Sequence, residues 1–269
     1  MQHILGLVRR CVEDYHMIDA GDTVAVGVSG GKDSLLTLTA LAQLRCFYPQ
    51  PFSVHAITLE TGTPGQSFDE VAELCRRLGV PYTRIQTPVY QIVFEERKEK
   101  NPCSLCAKLR RGSLNTALQQ LGISKIALGH HFNDVIETTV MSMFYGSQMQ
   151  AMLPKLHSTN FAGMELIRPL YCIHEEDILA WKQYNDLEFI QCACRFTENC
   201  TMCDNGGGGS KRQEVKILLR RLRRDNPNIE RSIFNSIHAV NLDMMPGYKS
   251  GGVLHSFLDD YDERGKKSE

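Results

Sequence analysis

The run Ser-Gly-Gly-Lys-Asp-Ser at residues 29–34 constrains the fold of this chain more than any other feature of the sequence. It follows an apolar, valine-rich stretch at 23–28 and precedes a leucine-rich segment at 35–44 that is typical of a helix. When a strand ends in a glycine turn before a helix, several backbone N–H groups face one point, and the start of the helix adds partial positive charge. We therefore expect a phosphate-binding turn between a β-strand and an α-helix.

The spacing around this turn excludes two common nucleotide-binding motifs. A Walker loop would place glycine at Val26 and Ser or Thr at Asp33. The dinucleotide fingerprint G-x-G-x-x-G is also absent. The motif instead resembles the PP-loop of the ATP pyrophosphatases, which split ATP into AMP and pyrophosphate. The alternative is a glycine turn that only caps a helix.

The composition is that of a soluble globular protein, with 269 residues, of which 42% are hydrophobic and 23% are charged. No apolar run approaches membrane-spanning length, and the first 20 residues lack the apolar core of a signal peptide. We expect a cytoplasmic protein that makes no membrane contact. Its ten cysteines should then be thiols or metal ligands rather than disulfides.

The charge pattern bears on nucleic-acid binding. A net charge of −1 argues against a protein that coats nucleic acid with its whole surface. Two arginine clusters nevertheless favour RNA contact, with solvated helix faces as the alternative. The clusters contain Arg110 and Arg111, and Arg220, Arg221, Arg223 and Arg224; the RNA-contact candidates are all of these except Arg223.

Hydrophobic periodicity predicts an α/β fold with a parallel sheet, because strand and helix patterns alternate along the chain. An amphipathic helix is predicted over 4–18. Strands are predicted near 23–28, 53–59, 82–86, 125–129, 165–168 and 187–191. Helices are predicted at 34–46, 67–79, 104–120, 133–145, 174–185 and 211–224, with a further helical stretch near 229–239.

The expected organisation has four parts. An N-terminal helix (1–20) precedes a nucleotide-binding domain (21–190). A cysteine-rich segment and basic helical extension (191–245) follow, with a flexible Gly/Ser joint at 206–210, and a disordered tail (246–269) ends the chain.

The cysteines fall into isolated and grouped positions. Four isolated ones lie in apolar patterns and are predicted to be buried structural thiols: Cys11, Cys46, Cys75 and Cys172. Cys103 and Cys106 form a C-x-x-C that opens a helix. Four more follow closely together: Cys192, Cys194, Cys200 and Cys203. Either the later four close a zinc site, or the C-x-x-C and one later cysteine hold an iron–sulfur cluster with one open iron; both sites could coexist. The alternative is that all six are unligated thiols.

Five ordered motifs carry a resemblance to a known family. After the phosphate turn come C-S-L-C-A-K-L-R-R-G at 103–112, G-H-H-F-N-D at 129–134, M-F-Y-G at 143–146 and I-R-P-L at 167–170. The chain resembles the TtcA-type tRNA 2-thiocytidine synthetases over about residues 1–245. The resemblance implies an ATP pyrophosphatase domain of the adenine nucleotide α hydrolase-like, Rossmann-like type with a helical C-terminal extension.

The resemblance also implies a reaction and its residues. ATP adenylates C2 of a pyrimidine, cytidine 32 of the tRNA anticodon loop, and sulfur delivered by a [4Fe–4S] cluster replaces the oxygen. The implied catalytic residues are Lys32, Asp33, Asp134, Cys103 and Cys106. The implied ATP-binding residues are Ser29, Gly30, Gly31, Lys32, Asp33, Ser34, Gly129 and His130. The two aspartates suit Mg²⁺.

The third cluster ligand stays open at this point. Counting back from the Arg-Gln of the helix at 211–215 favours Cys203, whereas counting forward from the I-R-P-L motif favours Cys194 or Cys192. Zn²⁺ at the four later cysteines remains an alternative use. The expected partners are tRNA, a sulfur donor such as a cysteine desulfurase, and a second copy in a homodimer. Two rival functions are a zinc-bound, nucleotide-sensing RNA-binding protein and a PP-loop enzyme that adenylates another acceptor.

Overall fold

The computed structural model of the chain describes residues 1–63, 65–97, 102–185, 211–259 and 261, except for the side chains of residues 102–104. The chain divides into two compact units, Met1–Ile217 and Leu218–Glu269. The cysteine-rich segment, the joint at 206–210 and the strand expected near 187–191 lie outside the described residues.

The first unit contains a six-stranded sheet in the order β3-β2-β1-β4-β6-β5. Its strands are β1 Thr23–Gly27, β2 Ser53–Glu60, β3 Tyr82–Gln86, β4 Lys125–Ala127, β5 Lys155–His157 and β6 Glu165–Ile167. All neighbouring pairs are parallel except β5 with β6. The strand order reverses beside β1, and ligands of open α/β sheets bind at such a point, beyond the carboxyl ends of the strands.

Helices cover the sheet and join its strands. They are α1 Gln2–Asp14, α2 Lys32–Leu44, α3 Asp69–Leu78, α4 Pro102–Gln120, α5 Phe132–Gly146 and α6 Glu175–Tyr184, with a π-helical stretch at Gln91–Arg97. Helix α7, Lys211–Asp225, begins in the first unit and ends in the second. None of the helices in the described ranges is both long and apolar enough to cross a bilayer.

The core explains why the apolar runs of the sequence fold as they do. Val24, Ala25 and Val26 of β1 are fully buried, as expected for a central strand covered on both faces. Helix α2 is buried over almost its whole length, and its Leu36 and Leu41 have no exposed surface. The phosphate turn between these two elements is therefore held at both ends by the core.

The second unit corrects one expectation from the sequence. It contains the end of α7, helix α8 Ile229–His238, and the antiparallel hairpin of β7 Gly247–Ser250 with β8 Val253–Ser256. Gly251 and Gly252 form the two-residue turn with φ of 57° and 83°, which favours glycine. Part of the segment 246–269 that was expected to be a disordered tail is thus an ordered hairpin.

The sheet and the isolated cysteines depart from expectation in two further places. Strand β5 was not predicted, because only one of its three residues, Leu156, is apolar. Cys11 and Cys75 are buried as predicted and Cys172 is half-buried, but Cys46 is exposed. The prediction of a buried thiol at Cys46 is wrong because this residue lies just beyond the C-terminal end of α2, past its buried stretch.

Candidate active site

The phosphate turn leaves β1 and is braced by its own serines. The Ser29 N–H donates to Ser34 Oγ over 3.2 Å, and Ser34 Oγ donates to the Gly31 carbonyl over 2.9 Å. Gly30 has a φ of 81°, a conformation that residues with a side chain rarely adopt. The chain therefore curls at this point as the motif predicts.

A cavity of about 630 Å³ opens beside the turn, beyond the carboxyl ends of β1, β2 and β4. Eight of the implied site residues line it: Ser29, Gly31, Asp33, Ser34, Cys106, Gly129, His130 and Asp134. Arg110, one of the RNA-contact candidates, lines it as well. The structure thus brings the phosphate turn, the G-H-H-F-N-D motif and the second cysteine of the C-x-x-C to one cavity.

The apolar wall of this cavity was missed by the sequence reading. It is formed by side chains of β2, of the residue just before α3 and of the segment that follows β3, among them Ile57, Leu59, Phe68, Val89, Tyr90 and Phe94. Apolar residues there look like ordinary core positions in the sequence. A flat, mostly apolar wall beside a phosphate turn suits the base of a nucleotide.

Gly129 fits closely against the phosphate turn. A Cβ at this position would lie 2.8 Å from the Asp33 carbonyl carbon and 3.0 Å from the Ser34 nitrogen. Both atoms belong to the backbone at the start of α2, which cannot move without moving the turn. Only glycine allows the loop after β4 to approach so closely.

Lys32 lies differently from the other turn residues. Neither Lys32 nor Gly30 is among the residues that line the cavity. Its Nζ lies 2.9 Å from Asp33 Oδ1 and 3.2 Å from Glu175 Oε1. Burial alone would lower the pKa of Lys32, but the two carboxylates raise it overall, so the amine is charged. Glu175 was not identified from the sequence; it starts α6, where its N–H bonds Asn133 Oδ1 at 2.9 Å.

Asp134 is held in its ionised form. Burial would raise its pKa, but His131, whose backbone N–H bonds Asp134 Oδ2 at 3.1 Å, and Arg212 lower it overall. Arg212 of α7 contacts Asp134 Oδ1 at 3.1 Å. Arg212 stands in the Arg-Gln pair of the sequence, but its position along the chain gave no sign of this partner.

His130 lines the cavity with a buried arginine beside it. Arg168 Nε donates to His130 Nδ1 over 3.4 Å. Burial, followed by the charge of Arg168, lowers the pKa of His130 to about 4. The imidazole is therefore neutral near neutral pH.

The remaining predicted residues divide into exposed and undescribed positions. Arg111 is exposed, and so are Arg220, Arg221 and Arg224 of the second unit. The Cys103 side chain and the four later cysteines, Cys192, Cys194, Cys200 and Cys203, lie outside the described residues. Across the parts of the chain that are described, no three His, Cys, Asp or Glu side chains form a metal-binding group.

Comparison with known proteins places this chain in a family. A family model described as a PP-loop domain matches residues 7–195. The chain is 36% identical to the tRNA-cytidine(32) 2-sulfurtransferase of Geobacter metallireducens over 234 residues, which are 87% of this chain and 88% of that protein. This chain belongs to the tRNA-cytidine(32) 2-sulfurtransferase family of PP-loop proteins. The family resemblance read from the motifs is confirmed.

A second member of the sulfurtransferase family extends the match. The protein of Methylobacillus flagellatus is 37% identical over 256 residues, which are 94% of this chain and 80% of that protein. Among solved structures, the U34-tRNA thiolase NcsA from Methanococcus maripaludis with its [4Fe–4S] cluster is similar in fold, with a TM-score of 0.69 and 22% identity over 98% of this chain and 88% of that one. The predicted α/β fold with a helical C-terminal part is confirmed.

Proposed function

We propose that this chain is an ATP-dependent tRNA sulfurtransferase that replaces the C2 oxygen of cytidine 32 with sulfur, as the names of its relatives indicate. The observation that carries the proposal is that Cys106 and the phosphate turn line the same cavity. Adenylation at the C2 oxygen and sulfur attack at C2 act on the two ends of one bond, so their residues have to share one pocket.

The first step joins the base to AMP. The C2 oxygen attacks the α-phosphorus of ATP, the bond to the β-phosphate oxygen breaks, and pyrophosphate leaves. The N–H groups of the turn and the positive start of α2 offset the charge of the phosphates. Asp33 and Asp134, which both line the cavity, are the residues that would hold Mg²⁺.

The second step exchanges oxygen for sulfur. A sulfur nucleophile attacks C2. The C2–O bond then breaks, its electron pair stays on the oxygen, and AMP leaves with that oxygen. When bound, a [4Fe–4S] cluster supplies an open iron that carries this sulfur. Cys103, Cys106 and Cys203, with Cys194 or Cys192 as the alternative third ligand, would hold it. Cys106 fits this role because its thiol lies in the adenylation cavity and is not in a disulfide.

The substrate and partners follow from the same chemistry. Anticodon-loop bases are unpaired, so little energy is needed to draw one into the cavity. Arg110 at the cavity and the exposed Arg111, Arg220, Arg221 and Arg224 are proposed to contact RNA phosphates. A tRNA substrate implies that the protein acts in the cytoplasm. The sulfur must come from a donor such as a cysteine desulfurase. A homodimer and a Zn²⁺ site at the later cysteines remain proposals.

The deciding experiment is anaerobic turnover with unmodified tRNA, ATP, Mg²⁺ and sulfide. We expect AMP, pyrophosphate and 2-thiocytidine, detected by mass spectrometry of the nucleosides. Cys106→Ser should reduce thiolation at least a hundredfold, whereas Cys46→Ser at the exposed thiol should keep the full rate. Full activity of Cys106→Ser would refute the proposal. An RNA-binding protein without turnover would release no pyrophosphate, and an enzyme for another acceptor would leave cytidine 32 unchanged.

A further inference from the structure

Arg168 is a buried cation that contacts neutral hydrogen-bond acceptors. Only 9% of its surface is exposed, and among the described residues no carboxylate lies within ion-pair distance of its guanidinium. The guanidinium instead donates to the Leu153 carbonyl and to His130 Nδ1. Burial accordingly lowers the pKa of Arg168 to about 10. An unpaired buried charge is costly, so these neutral contacts need an explanation.

The hydrogen bond between Arg168 and His130 can run in only one direction. Arginine has no acceptor atom, so Nε must donate and Nδ1 of His130 must accept. A neutral imidazole that accepts at Nδ1 carries its proton on Nε2. The backbone of Arg168 is itself fixed, because its N–H bonds the Pro154 carbonyl at 2.9 Å and its carbonyl accepts from Tyr171 N–H at 3.0 Å.

We propose that Arg168 is a positioning residue that keeps His130 neutral and in the Nε2–H tautomer, so that the ring offers a hydrogen-bond donor to a phosphate oxygen of the bound nucleotide. The last part rests on the proposed function, since it assumes that the cavity takes ATP. His130 lines that cavity together with Ser29 and Asp134, whereas Arg168 is not among the lining residues. Arg168 therefore acts through the imidazole and not on the ligand itself.

The charges around His130 agree with this assignment. After burial, the charge of Arg168 is the largest influence that lowers the pKa of His130. Asp134 opposes it, while Arg212 and His131 lower the pKa further. Without Arg168, the ring loses both the donor that fixes its tautomer and one of the cations that keep it neutral.

The tautomer is tested directly by nuclear magnetic resonance of the full chain with ¹⁵N-labelled histidine. The His130 signals are assigned as those lost in His130→Gln. We expect the Nε2–H pattern near neutral pH in the wild type, and a change toward Nδ1–H in Arg168→Met. A wild-type ring protonated on Nδ1 would overturn the proposal even if Arg168→Met failed to fold. An unchanged tautomer in a folded Arg168→Met would overturn it as well.

The role in binding is tested by a double-mutant cycle on the affinity for α,β-methylene ATP. Glutamine can present an N–H close to the Nε2 position without help from an arginine. Arg168→Met should therefore weaken binding by about twofold to tenfold in the wild type, the range of one hydrogen bond, and by less than twofold in the His130→Gln background. Equal losses in the two backgrounds would show that Arg168 acts independently of His130.

A matched control separates positioning from simple loss of an arginine. Arg45 also donates to two main-chain carbonyls, those of Leu78 at 2.8 Å and Gly79 at 3.0 Å, and is not among the residues lining the cavity. Arg45→Met should leave the His130 signals and the nucleotide affinity unchanged. If it changes the His130 tautomer as Arg168→Met does, the specific role of Arg168 is refuted. Failure of the proposed function would appear separately, as a wild type that has this tautomer but does not thiolate tRNA.

Discussion

At the scale of single residues, Gly129 and His130 show how the loop after β4 shapes the site. Gly129 lies against the backbone of Asp33 and Ser34, and the next residue lines the cavity. The distance between the loop after β4 and the phosphate turn is this short because Gly129 has no side chain. The position of the His130 ring follows from that spacing.

Gly129→Ala should displace the phosphate turn. Its new Cβ would meet backbone atoms at 2.8–3.0 Å, and overpacking of this kind costs about 1–3 kcal/mol. We expect ATP affinity, measured by calorimetry, to fall at least tenfold. Gly112→Ala is the control, because no atom lies within 4 Å of a Cβ there, and it should keep its affinity. Equal affinities for the two variants would contradict this account of Gly129.

His130 should also make the fold sensitive to acid. Its pKa is about 4 in the folded chain and 6.5 in its ordinary state, so below pH 6.5 the unfolded chain binds a proton that the folded chain does not. The free energy of unfolding therefore falls as the pH drops toward 4. Between about pH 6.5 and pH 5 the wild type should lose about 1–2 kcal/mol more than His130→Gln, as measured by urea unfolding. Parallel profiles for the two proteins would count against a neutral, buried ring.

At the scale of elements, the first turns of α7 pack on α5 through polar contacts. Arg212 contacts Asp134 at 3.1 Å and Glu137 at 3.7 Å. Lys216 also contacts Glu137, at 3.6 Å. In addition, the Tyr145 hydroxyl donates to Glu214 over 2.5 Å. Glu137 is buried, and burial raises its pKa. The charges of Lys216 and Arg212 oppose this effect and stabilise the charged form of Glu137. Helix α7 thus reaches a carboxylate of the cavity.

Removing Arg212 should loosen this helix. Arg212→Met leaves the buried Glu137 with Lys216 as its remaining cationic partner, and we expect a loss of about 1 kcal/mol after allowance for the partial exposure of Arg212. Hydrogen exchange should become faster at the amides of residues 211–217. Arg9→Met, which breaks the exposed pair with Glu13, should change stability by less than about 0.5 kcal/mol. Unchanged exchange in Arg212→Met would mean that the contacts of Arg212 do not hold the start of α7.

At the scale of the whole molecule, the sequence predicted the sheet and the turn better than the partners of the site residues. The phosphate turn and most strands have local signatures, because alternation and glycine spacing act over a few residues. The contact of Arg168 with His130 joins residues 38 positions apart, and no local pattern encodes it. The hairpin of β7 and β8 was read as disorder because its sequence is short, polar and rich in glycine.

The proposed [4Fe–4S] cluster leads to a prediction for the intact protein. Anaerobically purified protein should be brown, with a broad absorption near ~400 nm that is typical of cubane clusters. Cys106→Ser should lack this band, whereas Cys46→Ser should keep it. A colourless wild type that contains only zinc would contradict the assignment of Cys106 as a cluster ligand.

The pairing of Lys32 with Asp33 and Glu175 has a consequence for turnover. The amine already has two carboxylate neighbours, so a weakly charged ligand adds little binding free energy. Such a ligand only replaces one set of oxygen neighbours with another. A triphosphate carries enough charge to compete for it, and a nucleoside monophosphate carries far less. If Lys32 contacts phosphate in the proposed reaction, its resting pair with Asp33 and Glu175 therefore favours binding of ATP over retention of AMP.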